Sequence, residues 1–190
     1  MSFDHFSAIA PIYARVSYSK KEVMREVASL PVSGRLLDIG GGTGRVASAI
    51  KEYVDEIIIA DLSFGMLTHS PRADSSAGSE LCFRPVCGAS ESLPFADNFF
   101  ERVIMVDALH HVMDHAHTAR EMFRVLKPGG VLVIEEPDIR TFGVKLIAIA
   151  EKLLLMRSHF LAPDAIMKLF DVGEKETKSA DGTAWVIVKK

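Results

Sequence analysis

The chain has 190 residues, of which 48% are hydrophobic, and this length suits one domain with a well-buried core. Its formal net charge is −3 and no more than two basic residues are adjacent, which argues against nucleic acid as a partner. The N-terminus has neither the basic start nor the apolar run of an export signal. We therefore predict a single cytoplasmic domain over residues 1–190, without a transmembrane segment.

The pattern of residues 1–39 predicts a lid, a helix and a buried strand, in that order. Residues 1–18 combine apolar positions with a proline, which indicates a short helix and a loop lying over the domain as a lid. Residues 21–30 have helical apolar spacing, and Pro31 ends that helix. Residues 35–39 are short and apolar, as in a strand buried on both faces. They lead into the glycines Gly40, Gly41, Gly42 and Gly44.

The glycine turn opens a strand-helix-strand unit. Its backbone can take positive φ values and approach a ligand closely. The turn is followed by four apolar residues at helical spacing, Val46, Ala49, Ile50 and Tyr53. Residues 56–60 then predict a second strand that ends at Asp61. Asp61 comes about 20 residues after Gly42, the offset at which an acid accepts hydrogen bonds from a ribose. The spacing therefore predicts a ligand that contains adenosine.

Strands and helices continue to alternate in the rest of the chain. Apolar runs predict strands at residues 81–86, 102–106 and 131–135, with helices at residues 63–69 and from about residue 114. The short turn at Asp181 and Gly182 joins two further strands in a hairpin, so the last strand runs antiparallel to its partner. The pattern predicts an α/β fold with one doubly wound, mostly parallel sheet and helices on both faces.

Two nucleotide-binding patterns fit the glycine turn. The run from Gly42 to Ala47 satisfies G-x-G-x-x-G/A, which is typical of a nicotinamide-dependent oxidoreductase. Asp38 and Gly40 lie outside that pattern. Counted from Asp38, the run is D-x-G-x-G-x-G and resembles motif I of the class I S-adenosylmethionine-dependent methyltransferases.

The resemblance extends over nearly the whole chain. It includes Asp61-Leu62-Ser63 with Met66, Leu93-Pro94-Phe95, and the stretches 108–112 and 123–130. Within the family, the chain is similar to the small methyltransferases that act on quinone and sterol carbons. The resemblance implies a seven-stranded sheet of order 3-2-1-4-5-7-6, with S-adenosyl-L-methionine across the carboxyl ends of strands 1, 2 and 4.

The resemblance also implies which residues bind the cofactor. Gly40, Gly41 and Gly42 would line its methionine part, while Asp61 would hold the ribose and Leu62 would pack on adenine. The other cofactor-binding candidates are Tyr13, Asp38, Met66, Ala89, Ser90 and Asp107. Ala89 stands where relatives carry an acid or amide for the adenine amino group, which leaves Ser90 or the backbone for this role.

A sulfonium group is already a strong methyl donor, so the protein mainly has to align the reacting atoms, which supplies about 7 kcal/mol or more. An acceptor with an acidic proton would still use a base. His110 and His111 follow the fourth strand directly into the site and are the candidate catalytic residues. His111 and His115 are spaced like metal ligands, but no Glu follows the first histidine, and we predict no metal.

The stretch 142–160 predicts a long helix. One face, assigned to the sheet, carries Phe142, Leu146, Ile149, Leu153 and Phe160. Val144, Leu155 and Met156 would then be exposed near the cofactor cleft, which favours an apolar acceptor or a second copy in a homodimer. The sequence thus predicts a methyltransferase acting on a small apolar acceptor. The alternatives are the oxidoreductase and a non-catalytic S-adenosylmethionine-binding partner protein, in which Ala14 and Ala89 mark lost contacts.

Overall fold

The computed structural model describes residues 7, 10–11, 18–70, 82–153 and 158–190. In this part of the chain, seven strands form one sheet: β1 (Val32–Ile39), β2 (Val54–Asp61), β3 (Cys82–Cys87), β4 (Phe100–Val106), β5 (Leu126–Pro137), β6 (Glu174–Ala180) and β7 (Thr183–Lys189). Their order is β3-β2-β1-β4-β5-β7-β6. Strands β1 to β5 pair in parallel, whereas β7 is antiparallel to both β5 and β6. The predicted fold, strand order and antiparallel last strand are confirmed.

Helices cover both faces of the sheet. They are α1 (Lys21–Val27), α2 (Arg45–Ile50), α3 (Phe64–Leu67), α4 (His115–Val125), α5 (Phe142–Leu153) and α6 (Pro163–Met167), with short 3-10 helices at Lys51–Tyr53 and Leu109–His111. Side chains of α1 and α2 share one hydrophobic core with one face of the sheet. Side chains of α4 and α6 share the second core with the opposite face.

The central strands are apolar throughout because both of their faces are covered. In β1, Leu36 belongs to one core and Leu37 to the other, and both are fully buried. This double burial explains the uninterrupted apolar run that marks the strand in the sequence. The edge strands differ: β6 is exposed at every residue, and β3 contains Pro85. Charges and proline are the usual protection of a sheet edge against pairing with another chain.

The face assigned to α5 was wrong. Val144 is 7% exposed, whereas Phe142, Leu146 and Ile149 are 77%, 53% and 57% exposed. The three exposed residues do share one stripe of the helix, as their spacing predicts. Periodicity shows which residues share a face, but it does not show on which side the sheet lies. Leu155 and Met156 lie outside the described residues.

The lid and its Tyr13 contact also lie outside the described residues, apart from a few positions. Of these positions, Ala10 is fully buried, and the hydroxyl of Ser7 is 3.3 Å from that of Ser63. Ser63 is the N-cap of α3, directly after β2. Among the described residues, no helix combines the length and the apolar character needed to cross a bilayer.

Candidate active site

The glycine turn between β1 and α2 lies beside the end of β2. Gly40 and Gly42 have φ values of +67° and +54°, in the region that favours glycine. The backbone N–H of Gly42 donates to Oδ2 of Asp61 at 2.9 Å, and that of Ser63 donates to Oδ1 at 2.7 Å. These two bonds hold the Asp61 carboxylate beside the turn, where the sequence spacing predicted an acid for the ribose.

Three glycines of the turn, Gly40, Gly41 and Gly42, are crowded by neighbouring side chains. A Cβ atom built on Gly40 would lie 2.5 Å from Cβ of Ala108, and one on Gly42 would lie 2.8 Å from Cε of Met66. A Cβ atom on Gly41 would lie 2.7 Å from Cγ of Asp38. The turn therefore has no room for side chains, and its backbone stays open to contact with a ligand.

Asp38 is a buried acid beneath this turn. Neither of its carboxylate oxygens has a hydrogen bond of normal geometry among the described residues, and the backbone N–H of Ala47 interacts with the group only weakly enough to lower its pKa against the larger effect of burial. Burial raises the pKa of Asp38 to about 7, with Arg45 acting to lower it and Asp61 to raise it. Buried polar atoms are nearly always hydrogen-bonded, so such a group indicates a place for a polar ligand. The methionine part of S-adenosylmethionine carries an ammonium group that would satisfy it.

An ion pair connects α2 to the end of β4. Nη2 of Arg45 lies 2.5 Å from Oδ2 of Asp107. Asp107 has a φ of +52°, and its backbone N–H donates to the carbonyl of Glu135. The guanidinium group of Arg45 also lies 5.7 Å from the centre of the Tyr18 ring. Asp107 thus faces α2, next to the glycine turn, with its charge balanced.

A second buried acid, Glu135, binds Tyr18, the first residue of the continuous described stretch 18–70. The Tyr18 hydroxyl donates to Oε2 of Glu135 at 2.5 Å, and Nε1 of Trp185 donates to the same oxygen at 2.8 Å. Nζ of Lys20 lies 3.0 Å from Oε1. Burial, together with the charge of Glu135, raises the pKa of Tyr18. Glu135 therefore fixes the base of the segment predicted to form the lid.

His110 is held by the carboxylate of Glu136. Its Nδ1 lies 2.5 Å from Oε2 of Glu136, and both side chains are almost fully buried. Oε1 of Glu136 accepts the backbone N–H groups of Ala108 at 3.0 Å and Leu109 at 2.7 Å. The ring of Phe160 stacks on His110, with centroids 4.3 Å apart and an interplanar angle of 11°. One acid thus fixes both the loop after β4 and the histidine it carries.

His111 is in contact with His110 but is in a different environment. The two ring centroids are 4.0 Å apart, and the hydroxyl of Ser158 lies 3.4 Å from Nδ1 of His111. Burial, and secondly the neighbouring His110, lower the pKa of His111 to about 4. His111 is therefore neutral at pH 7.

The residues predicted to contact adenine are Leu62, Ala89 and Ser90. Leu62, next to Asp61, is largely exposed. Ala89 is half-buried on the loop after β3. The hydroxyl of Ser90 lies 3.0 Å from that of Thr118 in α4 and donates to Glu91 at 3.2 Å. These contacts hold the Ser90 hydroxyl beside α4, and its oxygen can still accept a further hydrogen bond, so an adenine role for Ser90 stays a prediction.

The sequence analysis did not identify two acids at the carboxyl end of β5 as part of the site. Glu135 and Glu136 end a buried strand, and each of them faces a different side of the sheet. The available signal was a pair of acids at the end of an apolar run, where unpaired charge is costly and demands partners.

The fold and the residues at the carboxyl ends of its strands define a class I methyltransferase domain, because a glycine turn after β1, an acid at the end of β2 and an antiparallel β7 occur together. The comparisons agree. A family model described as a methyltransferase domain matches residues 37–134, just over half of the chain. The chain therefore belongs to the methyltransferase domain family.

Similar proteins are found among curated sequences and solved structures. The ubiquinone/menaquinone biosynthesis C-methyltransferase UbiE of Coxiella burnetii is 36% identical over 105 residues, which cover 54% of this chain and 42% of that protein. This chain thus matches less than half the length of its curated relatives. A proposed methyltransferase of Bacillus halodurans superposes with a TM-score of 0.70 and 24% identity, over 85% of this chain and 71% of that one.

A third similar protein covers the whole chain. A proposed S-adenosylmethionine-dependent methyltransferase of Methanococcus maripaludis superposes with a TM-score of 0.74 and 18% identity, over 100% of this chain and 96% of that one. At 24% and 18% sequence identity, these two structures support the fold assignment alone. S-adenosylmethionine is the cofactor of the family. The residues present fit this cofactor, because the open glycine turn, the held carboxylate of Asp61 and the buried carboxylate of Asp38, which has no hydrogen bond of normal geometry, lie together.

Proposed function

We propose that this protein transfers a methyl group from S-adenosylmethionine to a small apolar acceptor. One arrangement carries the proposal: the carboxylate of Asp61 is held against the glycine turn by the N–H of Gly42. Asp61 would hold the ribose, and Leu62 would pack on adenine. Gly40, Gly41 and Gly42 would line the methionine part above Asp38.

Alignment would be the main contribution of the protein to the reaction. Bound S-adenosylmethionine supplies a methyl group on a positively charged sulfur, which needs no further activation. The protein has to orient the acceptor and exclude water, which is worth about 7 kcal/mol or more. The buried side chain of His110 and the ring of Phe160 stacked on it support such exclusion on the side of β4. His110 and His111 are the candidate catalytic residues there.

Exposed apolar side chains support an apolar acceptor. Met113 follows the loop after β4, and Phe142 begins α5 after β5, and both are about three-quarters exposed. Ligands of open α/β sheets bind outside the carboxyl ends of the strands, which is where these two segments begin. The name of the Coxiella burnetii relative is consistent with a quinol-like acceptor. Exposed apolar side chains beside a binding cleft are consistent with the same class of molecule.

Calorimetric titration tests the cofactor. We expect S-adenosylmethionine and its demethylated product to bind, and NADH to bind more weakly or not at all. Tighter binding of NADH would overturn the proposal in favour of the oxidoreductase that the run from Gly42 to Ala47 also allows.

Methyl transfer tests the acceptor. The protein would be incubated with labelled S-adenosylmethionine and either a prenylated 1,4-naphthoquinol or polar acceptors such as glycine. We expect label in the quinol only. Cofactor binding without transfer to any acceptor would instead identify a non-catalytic binding protein. Sedimentation would show in the same samples whether the predicted homodimer forms.

A further inference from the structure

We propose that Arg45 binds the carboxylate of the amino-acid end of S-adenosylmethionine, while the buried acid Asp38 takes the ammonium group of the same end. Together, the two residues make the site selective for a cofactor whose amino-acid end is intact. This inference rests on the cofactor part of the proposed function. It adds Arg45, which the glycine motif does not indicate, to the residues that bind the cofactor.

One negative and one positive side chain flank the glycine turn. Asp38 lies beneath the turn, because a Cβ atom on Gly41 would lie 2.7 Å from its Cγ. Arg45 directly follows Gly44, the last glycine of the turn. Burial raises the pKa of Asp38, and the charge of Arg45 is the next largest influence and lowers it, so the two side chains are close enough to interact. The turn therefore offers a place for a cation and a place for an anion.

The amino-acid end of S-adenosylmethionine carries the two matching charges. Its ammonium group donates hydrogen bonds, and the Asp38 carboxylate has none of normal geometry among the described residues. Its carboxylate only accepts, and a guanidinium group only donates. The adenosine part, assigned to Asp61, has no ionised group at neutral pH. Charge complementarity therefore assigns the ammonium group to Asp38 and the carboxylate to Arg45.

The guanidinium group of Arg45 has donors available for a ligand. It carries five N–H donors. Of the residues that the structure describes, only Asp107 accepts a hydrogen bond from it, at 2.5 Å from Nη2. The side chain is 19% exposed, so water reaches only a small part of it. Arginine forms short, charge-assisted hydrogen bonds with carboxylates, which suits the remaining donors to an anion of this kind.

Other residues hold Arg45 in place from two sides. Asp107 binds it at the end of β4, and the ring centre of Tyr18 lies 5.7 Å from the guanidinium carbon. The hydroxyl of Tyr18 is itself fixed by Glu135 at 2.5 Å. A side chain that is already held loses less conformational entropy when it binds a ligand. The pair of Tyr18 and Glu135 therefore also stabilises the position of Arg45 beside the glycine turn.

Calorimetric titration with three ligands tests the assignment without any activity measurement. The ligands are the demethylated product S-adenosylhomocysteine, its analogue without the carboxylate and its analogue without the amino group. We expect the wild-type protein to bind the product about 10- to 100-fold more tightly than either analogue. Each analogue leaves one charged side chain of the site without its partner, and such a site rejects a ligand that lacks the group it binds.

Variants assign each charge to one residue. Arg45→Gln should weaken binding of the product about 10- to 100-fold and leave the affinity for the analogue without the carboxylate unchanged. Asp38→Asn should weaken binding of the product and leave the affinity for the analogue without the amino group unchanged. Arg45→Lys keeps the charge but loses the planar fork, so it should retain part of the preference. It keeps the test valid if Arg45→Gln does not fold.

Arg35→Gln is the matched control. Like Arg45, Arg35 pairs with an acid and lies over an aromatic ring. Its Nε is 2.9 Å from Oε2 of Glu56, and its guanidinium carbon is 4.4 Å from the centre of the Phe99 ring. Arg35 lies in the first half of β1, away from the glycine turn that follows this strand. Its substitution should leave all three dissociation constants unchanged.

Two results would overturn the assignment. One is a wild-type protein that binds the product and the analogue without the carboxylate within about threefold of each other. The other is an Arg45→Gln variant that weakens binding of all three ligands by the same factor, as a merely structural role would. The proposed function fails differently. If the wild-type protein binds none of the three ligands, or binds NADH more tightly, that function is overturned together with this inference.

Discussion

Gly40 and Ala108 are packed directly against each other at the carboxyl edge of the sheet. A Cβ atom on Gly40 would lie 2.5 Å from that of Ala108, closer than two such carbons can approach. Gly40 is the first residue of the turn after β1. Ala108 lies in the loop after β4 that carries the histidine pair. The two loops that would bind cofactor and acceptor are therefore positioned by one contact, which requires a glycine on one side.

This contact predicts that Gly40→Ala is destabilising. Overpacking costs about 1–3 kcal/mol, and the φ of +67° adds about 1 kcal/mol for a residue with a side chain. Urea unfolding measures the loss. Ala108→Gly removes the opposing carbon, so the double variant should recover the overpacking part but not the backbone part. Equal stability of Gly40→Ala and the double variant would show that the contact does not limit the turn.

Asp61→Ala should weaken binding of S-adenosylmethionine and of its demethylated product. The ribose hydroxyls lose a charged acceptor, and the expected loss is about 1.5–3 kcal/mol by calorimetric titration. Asp61→Asn keeps the size and one acceptor oxygen, and should lie between wild type and the alanine variant. An unchanged dissociation constant in the alanine variant would place the ribose elsewhere.

Ala89→Asp should tighten cofactor binding modestly, because it supplies the acceptor that relatives offer to the adenine amino group. Ser90→Ala should leave the affinity unchanged if the backbone meets the adenine amino group, whereas the Ser90 oxygen keeps the capacity to accept a hydrogen bond beside Thr118 and Glu91. Titration of both variants, with circular dichroism to check the fold, separates the possibilities. Weaker binding in Ser90→Ala would return the adenine role to the serine.

Asp38 should make stability depend on pH. Its pKa is raised to about 7 in the folded protein from 3.8, so the folded state binds the extra proton between these values. The stability from this group is complete below about pH 4 and is lost as the pH rises to about 7. The side chain in Asp38→Asn cannot ionise. Between about pH 4 and pH 7, the unfolding free energy of this variant should therefore rise by about 4 kcal/mol relative to that of the wild type. A difference that does not vary with pH would mean that Asp38 keeps an ordinary pKa.

The fold was predictable because its signals are local. Leu36 and Leu37 are apolar because each belongs to a different core, and such runs identify the central strands. The position of Asp61 followed from chain distance, since one strand-helix-strand unit fixes where its second strand ends. The order of the outer strands required the family resemblance, because periodicity carries no information on which strands are neighbours.

Contacts between distant segments were not predictable. Glu136 meets His110 only because β4 and β5 are neighbours and end at the same height, as their register shows. The pairing of Arg45 with Asp107 depends in the same way on the first residue of α2 lying beside the end of β4. The hydroxyl of Ser90 likewise bonds to Thr118 in a later helix, a contact that the sequence does not reveal. In each case, the chemistry of the residue was visible and its partner was not.

The two sides of α5 allow the apolar acceptor to be tested separately from stability. Val144 is buried, and Val144→Ala should cost about 1.5 kcal/mol of unfolding free energy, because two methyl groups leave the core. Phe142 is largely exposed, and Phe142→Ala should change stability by no more than about 0.5 kcal/mol. If the exposed stripe of α5 contacts the acceptor, Phe142→Ala should raise KM for the prenylated quinol by about tenfold. KM for a quinol without the prenyl chain should hardly change in the same variant. Equal effects on both quinols, or none on either, would show that the apolar part of the acceptor does not bind along this helix.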